Sequence, residues 1–289
     1  MSRSRRAPEP MPNPEPRHSK DRSWLKLIAK ALICAALTLA LRLGLNWALQ
    51  RLFAAWNVNP DTLSRAPGWA RAFYLWHGSA VSVIVGAFEI GLILWLLRVP
   101  LPRMDLKHAG LWWLAGTGLA LGLAAVFLLS DSLRLRWPLT APVLGSGLVA
   151  LWLLSLLTAL SEELFLRSLL QAGLKSPWGI AAAGLAFFLM NGGYSGTVIS
   201  GINVALLGTV CGLLYARRGL WAVVAFRWGW GFASVFLLGQ GGGANSVYRL
   251  YGVSEGLLTG GDAGFVYGLG LTAALLALGA AMLVRKKTE

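Results

Sequence analysis

The sequence predicts an all-α, polytopic membrane helix bundle of about eight transmembrane helices, and three observations carry that prediction. Hydrophobic residues make up 56% of the 289 and charged residues only 13%, where a soluble domain carries about 25% charged residues. Mean hydropathy is +0.61. Stretches such as Val143 to Leu160 and Leu271 to Val284 are apolar on every face, whereas the strands of a β-barrel would alternate. The excess of 26 Lys and Arg over 12 Asp and Glu would point to nucleic acid in a soluble protein. In a membrane protein such residues gather in cytoplasmic loops, so the bilayer is the expected partner and nucleic acid is not.

The elements follow in chain order. Residues 1–23 are expected to be a basic, disordered, cytoplasmic tail, because the opening MSRSRRAPEPMPNPEPRHSKDR holds five prolines and almost nothing apolar to bury. Arg5 and Arg6 do not open a cleavable leader: the apolar run starts only near Trp24, carries Lys26, Lys30 and Arg42, and lacks a cleavage site. Apolar runs long enough to approach a hydrocarbon core about 30 Å thick then place spans at Leu25 to Trp47, Phe73 to Leu97, Leu111 to Leu129, Val143 to Leu170, Trp178 to Met190, Ile199 to Tyr215, Leu220 to Leu238 and Phe265 to Val284. The fifth and sixth are short. Residues 24–140 thus form an N-terminal group of helices and 141–289 a second core. Alternate loops hold Arg98, Arg103 and Lys107, then Lys175, then Arg217 and Arg218, then Arg285 to Lys287, which puts both termini on the cytoplasmic side of a bacterial-type cell membrane. Cys34 and Cys211 lie inside apolar segments, far from any zinc or disulfide spacing, and are read as packing residues. Gly208 and Gly212 form a GxxxG pair suited to close packing inside the bundle.

Ionisable groups at bilayer depth cost about 2.5 to 3.5 kcal/mol each on insertion scales, so those that persist mark pairs or sites. Arg42, near a span end, can snorkel to the interface. Glu89 sits deep in the second span. Glu162, Glu163 and Arg167, in TALSEELFLRSLLQ, are three ionisable groups within two helical turns. Four residues apart, Glu163 and Arg167 share a face and suit an ion pair, while Glu162 points about 100° away. There it can face a cavity and act as a general base on water, or it can be part of a buried pair that locks helix packing. Counting at about 1.5 Å per residue from the turns at Lys175 to Pro177 and at Arg218-Gly219, Glu162 and Glu163, Asn191, and Arg227 with Gly231 fall near one level. The aromatic run of the seventh helix, Trp221, Phe226, Trp228, Trp230, Phe232 and Phe236, reads as packing.

These residues form an ordered set. Glu162, Glu163 and Arg167 make Glu-Glu-x-x-x-Arg; Phe187 precedes Asn191 by four; an Arg-Gly turn follows; Arg227 precedes Gly231 by four; and LLTGGDAGFVYGLGLT is a late glycine-rich stretch. From Leu144 to Val284 the chain thereby resembles the CAAX-protease and bacteriocin-processing (CPBP, or abortive-infection) intramembrane endopeptidases. The resemblance implies hydrolysis of peptide bonds in membrane-anchored substrates, with catalytic positions at Glu162, Glu163, Arg167, Asn191 and Arg227, and Phe187, Trp230 and Gly231 lining the substrate cavity. In the family the first glutamate and a histidine activate water, and a second histidine with an asparagine binds a metal such as zinc or stabilises the oxyanion. Here Asn191 stands for the first histidine, and Arg227 and Gly231 for the second histidine and the asparagine. Asn191 is a poor ligand and Arg227 cannot ligate, so no metal or other cofactor is expected. Arg227 can instead stabilise an oxyanion or pair with the glutamates, and an unpaired arginine at this depth is costly. Three functions follow in order: an intramembrane peptidase, a non-catalytic relative binding membrane peptides or lipidated tails, and a secondary transporter using Glu89, Glu162, Glu163 and Arg227.

Overall fold

The computed structural model describes residues 23–59, 61–98, 101, 103–136, 146–172, 174, 177–191, 197–240, 248–252, 256–261 and 264–284. The basic tail, Val143, Lys175, the glycines at 241–243 and Arg285 to Lys287 lie outside them. Eight α-helices are found among the described residues: α1 (Ser23–Ala55), α2 (Gly68–Leu97), α3 (Leu106–Leu129), α4 (Ser146–Glu163), α5 (Trp178–Asn191), α6 (Val198–Arg218), α7 (Leu220–Gly231) and α8 (Leu269–Val284). α4 continues into a π-helical segment, Leu164–Gln171, and α7 into another, Phe232–Leu237. Six of these helical stretches are long and apolar enough to span a bilayer; α5 and α8 are shorter.

The helix ends differ from the apolar limits for reasons in the backbone. α1 runs eight residues past Trp47, and its end packs Phe53 with Val58 and Ala70 in a small satellite core before Asn57 takes φ 52°. α2 starts right after Pro67, whose fixed φ suits a helix entry. Asp105 caps α3 by accepting from the backbone N–H of Lys107 at 3.0 Å. The sixth helix, expected to be short, is a full 21 residues, because it runs on through Arg217 and Arg218 until Gly219 turns the chain at φ 83°, a conformation that favours glycine. The eighth starts later than Phe265, which belongs to a short 3₁₀ turn, Phe265–Tyr267.

One element has no counterpart among the expected spans. β1 (Leu133–Arg136) pairs antiparallel with β2 (Arg249–Gly252), matching Leu133 to Gly252 and Leu135 to Leu250. Leu133 and Leu250 are buried, so the ribbon is pinned to the bundle by its apolar side and ties the α3–α4 connection to the α7–α8 connection.

Glycines set how closely the helices meet. A Cβ on Gly116 of α3 would collide with the carbonyl oxygen of Phe226 and lie 2.9 Å from the backbone N of Trp230; one on Gly229 of α7 would meet the carbonyl oxygen of Trp113 and lie 3.0 Å from the N of Thr117. α3 and α7 therefore touch backbone to backbone. Gly208 of α6 serves α5 in the same way: its Cβ would sit 3.0 Å from that of Phe187. The GxxxG pair acts inside the chain. Trp228 carries α7 against α4, donating from Nε1 to the Trp152 carbonyl at 2.9 Å, with the two ring centroids 4.3 Å apart. Outside, Leu32, Ile33, Leu43, Trp95, Leu129 and Leu189 are broadly exposed. Such an apolar exterior faces lipid, and the chain is an integral membrane protein.

Candidate functional site

Helical spacing builds the site. On α4, Ser155, Thr158, Ala159 and Glu162 recur at three- and four-residue steps; on α7 and its π-helical continuation, Arg227, Trp230, Gly231 and Ser234 do the same. Both stripes line a cavity of about 210 Å³. α5 adds Phe187 and Asn191, α6 adds Asn203, Val204 and Leu207, and the chain before and into α8 adds Val266, Tyr267 and Leu271. Gly231 leaves space: a Cβ built there would meet nothing within 4 Å.

The charged residues form two linked pairs. Arg167, fully buried, donates from Nε to Glu163 Oε2 at 2.6 Å, from Nη1 to Gln171 Oε1 at 3.1 Å and from Nη2 to the Gly208 carbonyl at 3.0 Å. Gln171 in turn donates to the Gly212 carbonyl at 2.8 Å. Glu163, Arg167 and Gln171 thus make a ladder along one helix, reading backbone carbonyls of α6 that only a side-chain-free surface exposes. Across the cavity Arg227 donates from Nη2 to Glu162 Oε2 at 2.7 Å, and its Nε lies 3.5 Å from Glu163 Oε1. Its guanidinium carbon sits 4.6 Å from the centroid of the Phe187 ring. Two carboxylates and two guanidiniums therefore cancel in formal charge, which lets four ions persist at bilayer depth.

Of the residues singled out in the sequence, Glu162, Phe187, Asn191, Arg227, Trp230 and Gly231 converge on the cavity, while Glu163 and Arg167 stand just behind its wall. Asn191 donates from Nδ2 to the carbonyl of Phe187, one turn back on its own helix, at 3.1 Å. Glu89 is buried on α2 but does not line the cavity, and Arg42 is exposed on α1. Sequence reading missed Gln171, which continues the four-residue spacing of Glu163 and Arg167 and could have been found by extending it. It also missed Asn203, which donates to the carbonyls of Val266 at 2.8 Å and Gly268 at 3.0 Å and accepts from Thr272 at 2.6 Å. Nothing local in the sequence signals that long-range lock.

The residues present do not suit a metal. Among the described residues no cluster of three or more His, Cys, Asp or Glu side chains is close enough to hold one, and both motif glutamates face guanidiniums.

Fold and site together define a class: a polytopic membrane protein with an intramembrane cavity built on a paired glutamate motif. Residues 144–233 match a family described as type II CAAX prenyl endopeptidase Rce1-like. The matched segment holds both motif glutamates, Arg167, Asn191 and Arg227, so over these residues the chain is similar to that family. No curated protein and no solved structure shows a significant match.

Proposed function

We propose that this CAAX-protease-like protein holds a segment of a membrane-anchored peptide in its cavity without cleaving it. The observation that carries the reading is the Arg227–Glu162 pair at 2.7 Å. Glu162 is the residue that would take a proton from water, and Arg227 stands where the resemblance places a histidine. The carboxylate that would act as the base is already engaged as the partner of a part-buried guanidinium, which also stands 3.5 Å from Glu163. Asn191, at the other histidine position, spends its amide on its own helix and has no basic nitrogen to offer. What is left is a paired set of charges beside a cavity of about 210 Å³ with both polar and apolar walls. The basic loops further support both termini on the cytoplasmic face of a cell membrane.

The test is a cleavage assay on purified protein with a panel of membrane-anchored peptides, comparing wild type, Glu162→Ala and the triple variant Asn191→His/Arg227→His/Gly231→Asn. Binding without cleavage by wild type, with cleavage gained in the triple variant, is the expected result. Cleavage by wild type that disappears in Glu162→Ala would refute the proposal and make the protein a histidine-free peptidase.

A further inference from the structure

The polar groups of the cavity have a bias in kind as well as a balance in charge. Ser155, Thr158 and Ser234 each use their hydroxyl proton within their own helix, donating to the carbonyls of Trp152 at 2.8 Å, Leu154 at 2.9 Å and Trp230 at 2.7 Å. Each then offers only lone pairs to anything that enters. Asn203 is saturated by Val266, Gly268 and Thr272. Glu162, which lines the cavity with a side chain 17% exposed, commits Oε2 to Arg227. Gln240, 3% exposed and part of the lining, leaves Oε1 buried without a partner. Arg227, the one cation among the described lining residues, is already held by Glu162, Glu163 and the Phe187 ring.

Resting on the peptide-holding reading, we infer that the occupant is an uncharged internal stretch of peptide whose backbone N–H donates into the cavity, and that a free chain-terminal carboxylate is rejected. A backbone amide supplies the donor that the orphaned Gln240 Oε1 requires, while its side chains meet the apolar walls of Phe187, Leu207, Trp230 and Leu271. A carboxylate is an acceptor only. It would bring a third anion to two guanidiniums that two carboxylates already balance, and would stand beside the Glu162 carboxylate. Selection thus comes from repulsion as much as attraction.

The experiment uses the full-length protein in liposomes and two peptides that share one transmembrane anchor and one short apolar extension, ending in a carboxamide or in a free carboxylate. The common anchor makes membrane partition equal, and energy transfer between labelled partners reads binding. The carboxamide form is expected to bind at least tenfold more tightly at pH 7, and Glu162→Gln, which frees Arg227, is expected to narrow or invert that preference. A merely structural role for Glu162 would weaken both peptides alike. Equal or tighter binding of the carboxylate to wild type overturns the inference and leaves peptide holding intact; should Glu162→Gln fail to fold, this wild-type comparison still decides. If neither peptide binds, both readings fall. If a long-chain alcohol binds and neither peptide does, the occupant is a lipid and the inference is likewise overturned.

Discussion

Replacing Arg167 by Met tests how the linked ion pairs hold the bundle. Arg167 and Glu163 are both fully shielded, and the guanidinium satisfies three acceptors: Glu163 Oε2, Gln171 Oε1 and the Gly208 carbonyl. Met fills much of the volume but leaves Glu163 with Arg227 at 3.5 Å as its nearest counter-charge. Breaking one side of a buried pair costs about 3 to 5 kcal/mol. The two orphaned neutral acceptors add less, since interhelical hydrogen bonds in membranes average about 0.6 kcal/mol when the unfolded chain also finds partners. Arg167→Met is therefore expected to lose about 3 to 5 kcal/mol, nearly all of it through charge. Reversible unfolding in mixed detergent, followed by circular dichroism, measures this. The double variant Glu163→Gln/Arg167→Met removes the stranded charge and is expected to recover about 2 kcal/mol or more relative to additivity of the single changes, near the upper end of coupling for residues in contact. A loss below about 1 kcal/mol for Arg167→Met, in the range of an exposed pair, or strict additivity in the cycle, would refute the reasoning.

Other outcomes follow from the same geometry. Gly229→Ala or Gly116→Ala drives a methyl into the backbone of the facing helix and is expected to cost at least about 1 to 3 kcal/mol, visible as a lower Tm, whereas Gly231→Ala, which opens onto empty space, should not show that overpacking loss. Asn203→Leu cuts the tie between α6 and the start of α8, leaving two carbonyls and the Thr272 hydroxyl unserved; hydrogen exchange at Val266 to Thr272 should speed up, and unchanged protection would count against the lock. At the start of α3 the His108 side chain, with the backbone N–H groups of His108 and Lys107, holds the Asp105 carboxyl below the ordinary aspartate range. Its contribution to folding is complete above that range and is lost as the pH falls through the lowered value. Titration of the Asp105 carboxyl by ¹³C NMR should show the value rising in His108→Ala; no rise would remove His108 as the cause.

The bundle was legible because lipid imposes a simple demand. Long apolar runs must be helices, and the ends moved only where backbone chemistry, such as Pro67, Asp105 and Gly219, outweighed hydropathy. The Glu163–Arg167 contact could be read from four-residue spacing alone. Arg227 was narrowed to two roles by the cost of a solitary ion at depth, yet its choice of Glu162 Oε2 depends on how α7 is turned against α4, which the Trp152–Trp228 contact sets across 76 positions of sequence. The β1–β2 ribbon escaped notice because four residues alternating Leu and Arg are too short to stand out from a basic loop. The two π-helical segments have no composition of their own, so hydropathy does not record the local winding of Leu164–Gln171.

The ladder from Glu163 to Gln171 ends on oxygens that belong to peptide bonds, at Gly208 and Gly212 of α6. An alanine scan would therefore report α6 poorly, since no side chain there can be truncated to reveal these acceptors. At position 212 an added methyl would lie 2.9 Å from Ile180 Cγ2 and 3.3 Å from both Arg167 Nη1 and Gln171 Oε1, so a substitution there mixes a steric clash with disturbance of the ladder. Replacing the peptide link after Gly208 or Gly212 by an ester, which keeps the shape and weakens the carbonyl as an acceptor, would expose a part of this site that ordinary genetics leaves silent.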